Sequence, residues 1–92
     1  MKRYYFGDEV LDLVCGDEQA KLIYYILENE NDIGSFKEYG VEIQKVEKYR
    51  TEKSRVLDIT TDESRINFII NLLMRNAVTP VHLHDIIEDL IC

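Results

Sequence analysis

Residues 60–92 read TTDESRINFIINLLMRNAVTPVHLHDIIEDLIC: two consecutive amphipathic helices, each with its own start signal. Thr60 to Glu63 has the spacing of a capping box, in which a Thr side chain accepts from a free backbone N–H and the Glu three residues on reaches back. Asp62 and Glu63 add negative charge at the positive end of the helix dipole. Behind them Ile66, Ile69, Ile70, Leu73 and Ala77 form one buried stripe at helical spacing, which predicts a helix over Thr61–Asn76. Thr79 suits an N-cap and Pro80 the first helical position, where its missing N–H costs nothing. Leu83, Ile86, Ile87, Leu90 and Ile91 then continue a second helix over Pro80–Ile91. At about 100° per residue, Phe68 and Leu72 lie nearly opposite the first stripe, so that helix is apolar on two sides. Either Phe68 and Leu72 pack on the chain's own second helix or N-terminal segment, or they belong to a subunit or partner interface.

Upstream the pattern changes to strands. Ala20 to Glu28 is rich in aromatic and β-branched residues, bounded by Gly16-Asp17 and by Asn29 to Asp32, and apolar on both faces, which places it centrally in a sheet. Tyr39 to Gln44 and Arg55 to Ile59 alternate as half-buried strands. The polar stretch Lys48 to Ser54 closes a long hairpin between them. Val10 to Cys15 fits a further strand, with Leu11, Leu13 and Cys15 facing in, or a helical turn. Strands followed by helices predict a single α+β domain over residues 1–92: a small antiparallel sheet of three or four strands, with both C-terminal helices packed on one face.

Composition narrows the class. Hydrophobic content of 46 % with 32 % charged residues describes a folded chain without a disordered tail. No run of about 18 apolar residues exists to span a membrane. Asp8, Glu9 and Asp12 interrupt any signal-peptide core behind Lys2 and Arg3, so a cytoplasmic location is expected. Cys15 and Cys92 then read as two free thiols, Cys92 exposed at the end of the chain. The net charge of −7 comes from both ends, since residues 37–60 hold five acidic and six basic groups.

Three separated pieces carry a resemblance: Tyr39-Gly40-Val41-Glu42-Ile43; Asp58-Ile59-Thr60-Thr61-Asp62; and Val78 to Leu83 followed by Asp85 to Leu90. Over about Ala20 to Cys92 the chain resembles a family of small uncharacterised proteins of spore-forming, clostridia-like bacteria, a domain of unknown function. The resemblance implies one short domain in a bacterial cytoplasm. It implies no activity, cofactor or site residue.

No constellation of reactive groups stands out. His82, Asp85 and Asp89 share one stripe of the second helix, and His84 and Glu88 an adjacent one. A metal needs three or four ligands within about 2.0–2.2 Å, and His82 and His84 point apart, so neither metal nor cofactor is expected. Ser35, Ser54 and Ser64 lack any nucleophile context, neither Cys has a His nearby in sequence, and the four glycines are scattered. Lys45, Lys48, Arg50, Lys53 and Arg55 cluster around Tyr49 and could track a nucleic acid backbone, but Glu47 and Glu52 interleave with them. The second helix, with Asp85, Glu88 and Asp89 and no Lys or Arg, would repel phosphate. The acids of the N-terminal region (Asp8, Glu9, Asp12, Asp17, Glu18) and those of the C-terminus could together seek a basic partner.

The sequence therefore predicts a non-enzymatic interaction or regulatory module acting by protein contact, its partner unnamed. The alternatives are a small-ligand or nucleic-acid binder using the sheet face or the basic hairpin, and an acidic inhibitor that mimics nucleic acid. Two helices can cover one face of a small sheet but not both. A homodimer is thus expected through Phe68, Leu72 and the sheet-face residues Tyr24 or Tyr25.

Overall fold

The computed structural model describes residues 1–12, 19–31 and 36–91. Leu13, Cys15, Gly16, Asp17, Glu18, Asp32, Ser35 and Cys92, named above from the sequence, lie outside the described residues. Four strands, β1 (Lys2–Asp12), β2 (Gln19–Asn31), β3 (Phe36–Val46) and β4 (Thr51–Thr60), precede α1 (Glu63–Arg75), a 3₁₀ turn (Pro80–His82) and α2 (Leu83–Ile91). The strands form one antiparallel sheet in chain order, β1-β2-β3-β4. This is the expected α+β arrangement, with longer strands than alternation alone marked out.

Strand alternation sorts the residues of β2 onto two faces. Ala20, Leu22, Tyr24 and Ile26 turn toward the helices; Ile23, Tyr25 and Leu27 turn away. On the helix side Leu22 and Tyr24, with Val41 and Ile43 of β3, pack against Ile66, Ile69, Ile70 and Leu73 of α1 and Leu83 and Ile87 of α2. Each α1 stripe residue read from the sequence, Ala77 excepted, is fully buried in this cluster, and Ala77 packs partly buried against it. Tyr24 lies at its centre and donates its hydroxyl to the Val78 carbonyl oxygen at 2.9 Å. Burial, with the Glu9 carboxylate adding to it, pushes that phenol up to about 12, so it stays a neutral donor.

The start of α1 differs from the capping box read in the sequence. Asp62 is the N-cap: its Oδ1 accepts from Ser64 N at 2.9 Å and Arg65 N at 3.4 Å. Thr60 Oγ1 instead accepts from Asp62 N at 3.1 Å, steadying the cap from outside. A shorter, charged acceptor two residues on takes the role, and charge at a helix N-terminus is favourable. Asp62→Ala should cost about 0.5–2 kcal/mol in urea unfolding, and Thr60→Ala less. Equal losses would show that the two side chains act as one unit.

The end of α1 is a Schellman turn: Val78 N donates to Leu73 O and Ala77 N to Met74 O, each at 3.0 Å. Its left-handed position, φ 49°, is filled by Ala77 rather than glycine. Ala77→Gly should therefore raise stability by about 0.5–1 kcal/mol, read as a shift in the urea midpoint. The second helix also begins differently from its reading. Thr79 makes no side-chain cap bond, and Pro80–His82 form a 3₁₀ turn that leads into α2.

Two bulges shape the edge strands. In β1 the register with β2 slips between Tyr5 and Gly7, which breaks the alternation of the aromatic run Tyr4-Tyr5-Phe6. In β4, Tyr39 pairs with Thr60 and Val41 with Val56, so Gly40 alone stands opposite Leu57, Asp58 and Ile59. Asp58 takes a left-handed φ of 56° within that bulge. A Cβ on Gly40 would lie 2.2 Å from the Val56 carbonyl oxygen and 3.0 Å from Leu57 Cα, so only glycine lets β4 arch over this point.

Candidate functional site

Among the described residues no element packs over the sheet face opposite the helices, yet this face holds two fully buried side chains. Leu27 is 2 % exposed and Glu42 is 1 % exposed. Glu42 is the one buried charged residue among those described, and the strands bring its partners from both directions. Arg55, opposite it on β4, donates from Nη2 to Glu42 Oε1 at 2.8 Å. Arg3 reaches across β2 from β1 and donates from Nη1 to Glu42 Oε2 at 3.0 Å. Gln44 Nε2 adds a bond to the same oxygen at 2.9 Å. Burial pushes the Glu42 carboxyl up, but these three donors and the charge of Arg55 outweigh it and hold the group below the ordinary carboxylate value.

The same network orders the aromatics beside it. The Arg3 guanidinium sits 4.4 Å from the centre of the Tyr25 ring, a cation–π contact. Tyr5 meets Tyr25 edge-on with ring centres 6.3 Å apart. Tyr5 also donates to Asp8, which lies 3.8 Å from Lys21 Nζ. The open face thus presents Tyr25, Arg3 and Arg55 as a pre-oriented group of aromatic and cationic side chains.

A concave feature lies on the helix side, where the ends of β1, β2 and β3 run past the start of α1. It is a cavity of about 410 Å³, floored by Phe6, Ile26 and Ile66. Tyr4, Glu28, Tyr39, Glu63 and Asn67 make its walls, and Tyr5, whose ring meets Tyr25 on the other face, borders it at the strand bulge. Glu28 accepts from the Tyr4 hydroxyl at 3.1 Å and pairs with Lys37 Nζ at 3.5 Å. Burial, followed by the carboxylates of Glu63 and Glu28, raises the Tyr39 phenol above its ordinary value.

The residues singled out in the sequence fall in different places. Tyr24 is wholly buried under the helices and is not a sheet-face contact residue. Its side of β2 could not be chosen from a strand apolar on both faces. Tyr25 is half-buried on the open face. Phe68 is 61 % exposed and Leu72 half-buried, so Phe68 does not pack into the chain's own core. Of the basic hairpin, Lys45 pairs with Glu47 at 3.2 Å, Arg50 with Glu47 at 3.4 Å and also with Glu52, and Arg55 with Glu42. Lys48 lies over the exposed Tyr49 ring, and Lys53 is exposed on β4. Among the described residues no group of His, Cys, Asp and Glu is arranged to hold a metal ion, and no helix is long and apolar enough to cross a membrane. The Glu42 network escaped the sequence reading because alternation alone assigns Glu42 to a solvated face. Its partner Arg3 is 39 residues away.

Residues 11–92 match the Family of unknown function (DUF6514), and the chain belongs to that family. No curated protein and no solved structure matches it.

Proposed function

We propose that this chain is a non-enzymatic interaction module that acts by protein contact in the cytoplasm of clostridia-like bacteria, with the open sheet face as its contact surface. The observation that supports this reading is the ordered Arg3–Tyr25–Glu42–Arg55 group on a face that no described element covers. Tyr and Arg side chains held in place before binding lose little freedom on association, and they dominate interface energetics. Affinity capture from such a cytoplasm, compared between wild type and Tyr25→Ala, tests it. A partner retained by the wild type should be weakened about fivefold or more by Tyr25→Ala. Undiminished retention would remove the sheet face from the reading.

Self-association belongs to a different surface, because Phe68 and Leu72 lie on α1, on the helix side of the sheet. A dimer held by Phe68 should scatter light as a monomer after Phe68→Glu, with folding stability changed by no more than about 0.5 kcal/mol. A wild type that is monomeric at high concentration excludes that dimer.

A further inference from the structure

We propose that the cavity beside the start of α1 binds an organic cation, an alkylammonium or guanidinium group carried on an apolar stem. This goes beyond the contact surface on the opposite face of the sheet. The cavity, about 410 Å³, falls within the size range of small-ligand pockets. Its floor of Phe6, Ile26 and Ile66 suits methylene groups. Its walls set phenol rings beside two carboxylates, Glu28 and Glu63, the combination that recognises organic cations by charge and by ring faces together.

Tyr39 supplies the second, independent observation. The residue is 8 % exposed, and its hydroxyl makes no hydrogen bond among the described residues. Among the described residues no fully sealed side-chain polar atom lacks a partner, so this hydroxyl is not sealed off, and it belongs to a residue that lines the cavity within the influence of Glu63 and Glu28. Its oxygen can accept from a donor that enters the cavity.

The start of a helix ordinarily favours an anion, but here that role is already filled. Asp62 occupies the N–H groups of Ser64 and Arg65, and Glu63 adds a further negative charge. Lys37 shows which sign Glu28 takes: its ammonium lies 3.5 Å from Glu28 Oε1, with a half-exposed side chain that can be displaced. Lys37 is thus an internal competitor for the cation. The net charge of −7 draws cations toward the molecule at longer range.

Two sources carry this chemistry, a free amine and a lysine or arginine side chain of a partner protein. The probes are n-butylguanidinium and an acetylated pentapeptide with one arginine between glycines, each titrated into the ¹⁵N-labelled chain and followed by amide shifts. Saturable shifts are expected at Glu28, Tyr39, Glu63 and Asn67, with a dissociation constant on the order of millimolar for the free cation. Tighter binding of the peptide identifies a partner side chain as the source; equal binding identifies the free group. Combining Glu28→Gln with Glu63→Gln should weaken either probe about tenfold. Lys37→Ala should tighten binding about two- to fivefold, a sign that loss of structure would not produce. The proposal is overturned if neither probe gives saturable shifts, if neutral n-butylurea binds as tightly as n-butylguanidinium, or if Lys37→Ala weakens binding.

Discussion

Gly40→Ala is expected to destabilise the protein by about 2–4 kcal/mol, lowering its melting temperature by roughly 10–25 °C. The added Cβ would stand 2.2 Å from the Val56 carbonyl oxygen, a backbone atom that cannot rotate out of the way. Moving it means shifting β4, whose position is fixed on both sides by the Tyr39–Thr60 and Val41–Val56 pairs. The same substitution at Gly7 makes a useful contrast. There the Cβ would meet Met74 Sδ at 2.6 Å, the far end of a flexible side chain, and the loss should be much smaller. Thermal melts followed by circular dichroism compare the two variants. Similar shifts would mean that β4 yields as easily as a methionine.

Removing both arginines from Glu42 is the second large effect. With Arg3 and Arg55 replaced by alanine, Gln44 remains as the sole donor among the described residues to a carboxylate that is 1 % exposed, and about 3–5 kcal/mol should be lost. Each single replacement should cost less than half of that, because the surviving arginine still satisfies one oxygen and both guanidinium groups stay half-exposed. The pH dependence gives a sharper readout. In the native chain the Glu42 carboxyl lies below its unfolded value, so its contribution is present above that value and fades as pH falls through the folded one. In the double variant burial is opposed by the Gln44 hydrogen bond alone among the named donors, and burial, the larger of the two, lifts the carboxyl above its unfolded value. Stability from this group is then greatest in acid and declines as pH rises toward neutrality. Urea midpoints measured from acid to neutral pH should show the two profiles sloping in opposite directions; parallel profiles would show that Glu42 has escaped to water.

The helices were legible because Ile66, Ile69, Ile70 and Leu73 repeat on one stripe, and burial follows that stripe. What failed there was local: Thr60 and Asp62 both suit a cap, and only the backbone path decides between them. β1 stayed hidden before Val10 because the bulge at Phe6 shifts alternation in the middle of the strand. The two surface features were hidden for another reason. Glu42 meets Arg3 across a whole strand, and the cavity joins Tyr4, Ile26, Tyr39 and Glu63 from four elements. Such sites have no spacing rule, because the sheet, not the chain, sets their distances.

The order of elements also governs how the chain can fold as it is synthesised. Every strand pairs with its neighbour in sequence, so each hairpin can close as soon as its second arm emerges. The helices that cover Leu22, Tyr24, Val41 and Ile43 come only from residues after Thr60. At about 5–20 residues per second, a ribosome holds the finished sheet with one oily side bare for at least a second. During that interval the apolar face is open to any sticky neighbour, and a stop codon before α1 would release a ribbon with Leu22, Tyr24, Val41 and Ile43 uncovered.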